Sequence, residues 1–225
     1  MNQKSFWMLS MLLAFCISFS FTSCCDTDED NNGGGSGPTP PSPAPGMTYL
    51  QVLKQDVNNI LTAYPEFKKE SQNDYPYGYL RQVYYRLNGK VSDTPVADLK
   101  AIVAQYGFDY TSITPTGEEQ HILVATRNFT KGLEADMTYE TAVAPGYPQD
   151  VDIIENLDKI ISLEHALKKL KESNVTLPPT EDVYLIKPAV PYAGSDIIYL
   201  FNKIVNNTIV YVDAQTGEVK TGKAH

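Results

Sequence analysis

Cysteine, histidine and tryptophan are scarce in this sequence, with three, three and one copies in 225 residues. The cysteines stand at 16, 24 and 25, so everything after residue 25 is free of thiols. That excludes a disulfide framework, a cysteine nucleophile and a cysteine-ligated zinc for the bulk of the chain. A stretch of about 180 residues without cross-links has to be stable from its own core, which its size allows. His121, His165 and His225 are too far apart for a helical i,i+4 metal pair, so no metal or other cofactor is expected. No Gly-x-Ser-x-Gly occurs, and Gly33-Gly34-Gly35 follows no strand, so it is not a phosphate loop. Asp26-x-Asp28-x-Asp30 has the first spacing of a calcium loop but lacks its closing Gly and Glu. The carboxylate pairs Asp150/Asp152 and Glu181/Asp182 are what an acidic surface carries anyway. No catalytic residue is assigned, and the chain is read as non-enzymatic. A hydrolase, which needs opposed carboxylates in a cleft, is the weakest of the readings carried.

Long apolar runs are also few. The main one covers 6–21, behind the positive Lys4, and is followed by Phe21-Thr22-Ser23-Cys24. It is short for the roughly 20 apolar residues of a spanning helix. A charged start, an apolar core and small residues before a cut read as a secretory signal. Ser23-Cys24 resembles the bacterial lipobox, in which the cysteine takes a diacylglyceryl group and becomes the new N-terminus. The resemblance makes 1–23 a lipoprotein signal peptide and Cys24 the lipidated residue, with Cys25 as the alternative.

Residues 24–46 carry an acidic run (26–32), a Gly/Ser run (33–37) and a Pro-rich run (38–46). None of these buries enough apolar surface to offset the entropy of ordering, so they read as a tether. The acids directly after the cysteine resemble the surface-export signal of lipoproteins in one group of Gram-negative anaerobes. That implies an outer-membrane lipoprotein facing the cell exterior, with the periplasmic side as the alternative. Losing Lys4 leaves 17 basic against 27 acidic residues, a net −10. Setting aside the tether's four acids leaves −6 for the rest. That balance disfavours a nucleic-acid partner. The apolar faces read as core-packing faces, so membrane contact is expected through the lipid anchor alone.

From residue 47 the patterning turns periodic. Tyr49, Leu50, Val52, Leu53, Val57, Ile60 and Leu61 recur at helical spacing behind Thr48 as N-cap. A loop over 72–78, a strand over 79–87 and a hairpin at Asn88-Gly89 follow. Pro95 as first helical residue and Gly107 as stop predict a helix over 96–106. Strands are expected over 121–128 and 136–143, then a boundary at 145–148. Ile160, Leu163, Ala166, Leu167 and Leu170 mark another helix, with Ser162 as N-cap and Glu164–Lys168 as an i,i+4 pair. Strands over 183–190, 197–201 and 208–212 close the chain.

The last of these runs into Tyr211-Val212-Asp213-Ala214-Gln215-Thr216-Gly217-Glu218-Val219. An Asp can accept backbone N–H bonds from residues further on, and a Gly can take positive φ, so a turn and a returning strand are expected. This ending, with the preceding helix and strands, resembles the PepSY family. Its members are small extracytoplasmic modules found in propeptides that restrain secreted peptidases, and related lipoproteins resemble beta-lactamase inhibitor proteins in architecture. The resemblance implies an α+β fold, helices packed on an antiparallel β-sheet, with 147–225 as one unit. The stretch 47–146 is either a second tandem helix-plus-sheet unit or unrelated to it. Asp213, Thr216 and Gly217 are the structural turn.

One feature suits binding: Tyr75, Tyr77, Tyr79, Tyr84 and Tyr85. Tyrosine offers a large amphipathic face at low entropic cost, although strand packing favours it too. Tyr192 and Tyr199 belong to the same class. The expected function is a surface lipoprotein that binds a protein or peptide, with peptidase inhibition as one form. The alternative is an accessory glycan-binding lipoprotein.

Overall fold

A computed structural model describes residues 46–68, 76–115, 117–140, 151–188, 196–205 and 208–223. The signal, Cys24, most of the tether, Tyr75, the 145–148 boundary, Asp150, Tyr192 and His225 lie outside the described residues. Helix α1 (Tyr49–Ala63) starts at Thr48, whose hydroxyl accepts from Gln51 N at 3.3 Å while Gln51 Oε1 accepts from Thr48 N at 2.8 Å. This reciprocal capping box satisfies donors that a helix start would leave orphaned. A 3-10 turn (Pro65–Phe67) follows, then strands β1 (Leu80–Leu87), β2 (Ala101–Thr114), β3 (Gly117–Asn128) and β4 (Gly132–Glu140). Next come the short β5 (Val151–Asp152), helix α2 (Leu163–Glu172) capped by Ser162, and strands β6 (Asp182–Pro188), β7 (Ile198–Val205), β8 (Thr208–Asp213) and β9 (Val219–Lys223).

Among the described residues nine strands join one antiparallel sheet, in the order β4-β3-β2-β1-β6-β7-β8-β9, with β5 pairing β6 off this path. Two four-stranded meanders meet at the β1–β6 pair, where Tyr84 lies opposite Tyr184. This corrects the expected fold class. The architecture is mostly one large antiparallel sheet of nine strands with only two α-helices among the described residues, not the expected pair of tandem helix-plus-sheet units.

Much of the error lies in the expected helix at 96–106. A helical turn does begin at Pro95, whose carbonyl accepts from Asp98 N and Leu99 N. Asn88 then ends it: its side chain accepts from Lys100 N at 2.9 Å and donates to Asp98 O at 3.0 Å. The chain turns into β2, where Ala104, Tyr106 and Phe108 alternate inward with period two. Gly107, read as a helix stop, sits mid-strand between Gln82 and Val124. For the same reason Asn88-Gly89 is not a two-residue hairpin; the connection runs over 88–100. Strand β4 begins at Gly132, ahead of the expected 136.

The pleat sorts the side chains. On one face Val83, Tyr85, Tyr106, Phe108, Leu123, Leu185, Tyr199, Phe201, Val210 and Val212 are buried in one core with the stripes of α1 and α2. Asp56 lies within the α1 stripe and is fully buried. It accepts from Arg127 Nε at 2.8 Å, again from Arg127 Nη2, and from Tyr106 Oη at 2.7 Å.

Candidate functional site

The opposite face is built by register. Glu134, Thr126, Gln105, Tyr84, Tyr184, Leu200, Tyr211 and Lys220 are successive Cα partners across eight strands. At the usual strand spacing such a row is about 33 Å long. It runs from an exposed acid through polar residues to an aromatic and aliphatic centre and ends in a base. Tyr84 and Tyr184 lie with ring centroids 5.1 Å apart at 42°, and Tyr84 Oη donates to Asp182 Oδ1 at 2.7 Å. Burial, then the Asp182 hydrogen bond and charge, push the Tyr84 hydroxyl far above its usual range, so it stays protonated as a donor. Ile186, Ile198, Tyr211 and Val151 form a small buried cluster on this face, against which the half-buried Tyr184 and Leu200 pack. Arg86 stands beside the row opposite Asp182 and lies 4.0 Å from Glu181.

The tyrosines that the sequence groups are separated by the fold. Tyr84 and Tyr85 are consecutive in β1 and therefore point to opposite faces. Tyr85 is 1% exposed, and burial raises its hydroxyl pKa well above normal. No ligand reaches it without opening the core. Tyr77 is at the helix side, donating to Asp158 Oδ1 at 2.9 Å; Lys54 reaches the same oxygen at 2.7 Å. Tyr79 stacks on Tyr110 with centroids 5.1 Å apart at 27°, and Tyr110 stacks on His121 at 4.5 Å and 10°. Ser112 Oγ lies 2.7 Å from His121 Nε2. Tyr199 is buried and donates to Ile161 O at 2.8 Å.

Comparison with protein-family models, with curated proteins and with solved structures finds no match.

Tyr184, Leu200 and Tyr211 were not singled out as a site from the sequence. Their shared period-two phase in β6, β7 and β8 is visible there, but which strands are neighbours is not. Tyr110 and His121 were missed as a stacked pair for the same reason. At the C-terminal turn, Asp213 Oδ1 accepts from Gln215 N at 2.9 Å and Thr216 N at 2.8 Å. Gly217 has φ 76° and its N–H reaches Asp213 O. Thr216 Oγ1 accepts from Glu218 N at 3.2 Å, and the chain returns as β9 along β8. These groups are engaged with backbone and build a turn. Among the described residues no group of three His, Cys, Asp or Glu side chains could hold a metal ion, and no helix is long and apolar enough to cross a membrane.

Proposed function

We propose that this chain is a non-enzymatic, lipid-anchored surface protein that binds a protein or peptide partner on the sheet face centred on Tyr84 and Tyr184. The observation that carries the reading is the cross-strand row. Its centre is aromatic and half-buried, its two ends carry charged side chains, Glu134 at one and Lys220 paired with Glu218 at the other, and it is held on the central strand pair of the sheet. Protein interfaces favour such aromatic anchors within a polar rim. A face of this length suits a macromolecule better than a small ligand, which needs a concave pocket. The resemblance of 211–219 to modules that restrain peptidases favours a secreted peptidase as partner, with inhibition as the consequence.

The test is capture of partners from envelope extract and culture supernatant by the chain from Met47 onward, with mass-spectrometric readout. One saturable protein is expected, and changing Tyr84 and Tyr184 together to Ala should weaken it about 100-fold, as loss of central anchors does. Capture that ignores this double change would remove the reading.

A second reading, glycan binding, is favoured by the Tyr79–Tyr110–His121 stack. Tyr79 is half-buried at one end of this stack, so a sugar would be offered its outer face. Loss of retention on a glycan array in Tyr79→Ala is expected on that reading; arrays blank for the intact protein would dismiss it. The address has its own test. Lipidation at Cys24 predicts that Cys24→Ser moves the protein from the membrane to the soluble fraction. Unchanged membrane retention would show that another element holds it.

A further inference from the structure

On the helix side of the sheet, away from the Tyr84–Tyr184 row, a cleft of about 330 Å³ opens between the starts of α1 and α2 and the 96–100 segment. Its inner surface is apolar: Leu99 and Leu167 are buried, and Met47 and Val96 complete it. Val96, at 36% exposed, stands at the open side of the cleft. Two charged side chains line the same cleft, Lys100 and Glu164. Among the described residues neither makes an ion pair. Lys168, four residues after Glu164, turns the other way and lies 3.8 Å from Glu172. Glu164 is nevertheless held in place, because its Oε1 accepts from Tyr49 N at 2.9 Å.

A cleft with an apolar lining, one cation and one anion is complementary to a molecule of matching pattern. That molecule has an apolar body, an ammonium group and a carboxylate. The volume is at the small end of ligand sites, which fits one or two amino-acid residues rather than a longer segment. We infer that this cleft binds a short zwitterionic apolar peptide of dipeptide size. Its ammonium meets Glu164, its carboxylate meets Lys100, and its side chains lie on Leu99 and Leu167. The inference does not rest on the sheet-face reading, since the two sites are on opposite sides of the sheet.

The experiment titrates the isotope-labelled full-length chain in detergent with leucyl-leucine, following backbone amide resonances. The comparator is N-acetyl-leucyl-leucine amide, which keeps the apolar body and loses both charges. Saturable shifts at Leu99, Glu164 and Leu167 are expected with the free dipeptide. Affinity should fall at least about tenfold with the blocked peptide, and by a similar factor in Lys100→Gln and in Glu164→Gln, as loss of one charge-assisted contact does. Glu164→Gln keeps a carbonyl for Tyr49 N–H, and Lys100 is exposed, so both variants should retain the native melting curve. Absence of saturable shifts, equal binding of the blocked peptide, or unchanged affinity in either variant overturns the inference.

Discussion

Asp56 and Arg127 show what a single side chain does in this core. Both are almost completely buried, so each charge depends on the other and on Tyr106 Oη. Burial alone would lower the Arg127 pKa, but the Asp56 hydrogen bonds and charge outweigh it and hold the guanidinium charged. Removing one partner strands the other, at a typical cost of about 3–5 kcal/mol. Arg127→Met should therefore lower the urea midpoint steeply, while Asp56→Leu with Arg127→Met should recover much of the loss. The reason is that Arg127 Nη1 has no hydrogen-bond partner, so the native network is itself incompletely satisfied. The sequence carried a trace of this pair: Asp56 occupies a stripe position between Leu53 and Val57, and Arg127 shares the inward phase of Leu123 and Ala125. Its meaning was illegible because the two are 71 positions apart. Asp158 gives a pH prediction at the same scale. Hydrogen bonds from Lys54 and Tyr77 hold its carboxyl below the usual range. A depressed carboxylate stabilises the fold above its unfolded pKa, and that contribution is lost as pH falls through the folded value. An NMR titration should show the Tyr77 and Lys54 contacts intact at neutral pH, persisting through the ordinary Asp titration at about 3.9, and released only at lower pH.

Among the elements, the Asp213–Gly217 turn is where residue types and geometry agree most closely. Asp213→Ala leaves two backbone N–H groups without their acceptor, at a cost of about 1–3 kcal/mol. Asp213→Asn keeps an acceptor oxygen and should lose less, as measured by thermal melting. Gly78 is another position where glycine is required. Its φ is 59°, and a Cβ there would strike the Phe67 carbonyl oxygen and the Leu61 side chain. Gly78→Ala should cost about 1–3 kcal/mol from the backbone alone and more from the collision. The helix starts were readable because capping is local: Thr48 with Gln51 and Ser162 with His165 N each act within one turn. The 96–106 segment was not. Pro95 does start a helical turn, and what ends it is Asn88 and the β1 edge, both supplied from earlier in the chain.

For the whole molecule, the decisive contact is β1 against β6. It fuses strands from both halves into one sheet, and residues from α1, α2 and both meanders share one core. Unfolding should therefore be a single cooperative transition, with circular dichroism and tyrosine fluorescence giving the same urea midpoint. Tyrosine is a clean probe, because the one tryptophan is Trp7, at the start of the chain. Two separated transitions would mean that the β1–β6 pairing couples the halves weakly.

The sequence by itself determined what is local. The absence of thiols after residue 25, the capped helix starts and the Asp-Gly turn need no more than a few neighbouring residues. The alternation that assigns strands belongs to the same class. Only the tertiary structure decided that nine strands make one sheet, that Tyr84 meets Tyr184 while Tyr85 is sealed inside, and that Lys100 and Glu164 line one cleft. Those facts depend on strand order and register. They are set by which apolar faces bury together across roughly a hundred residues of chain, a choice made by the summed core.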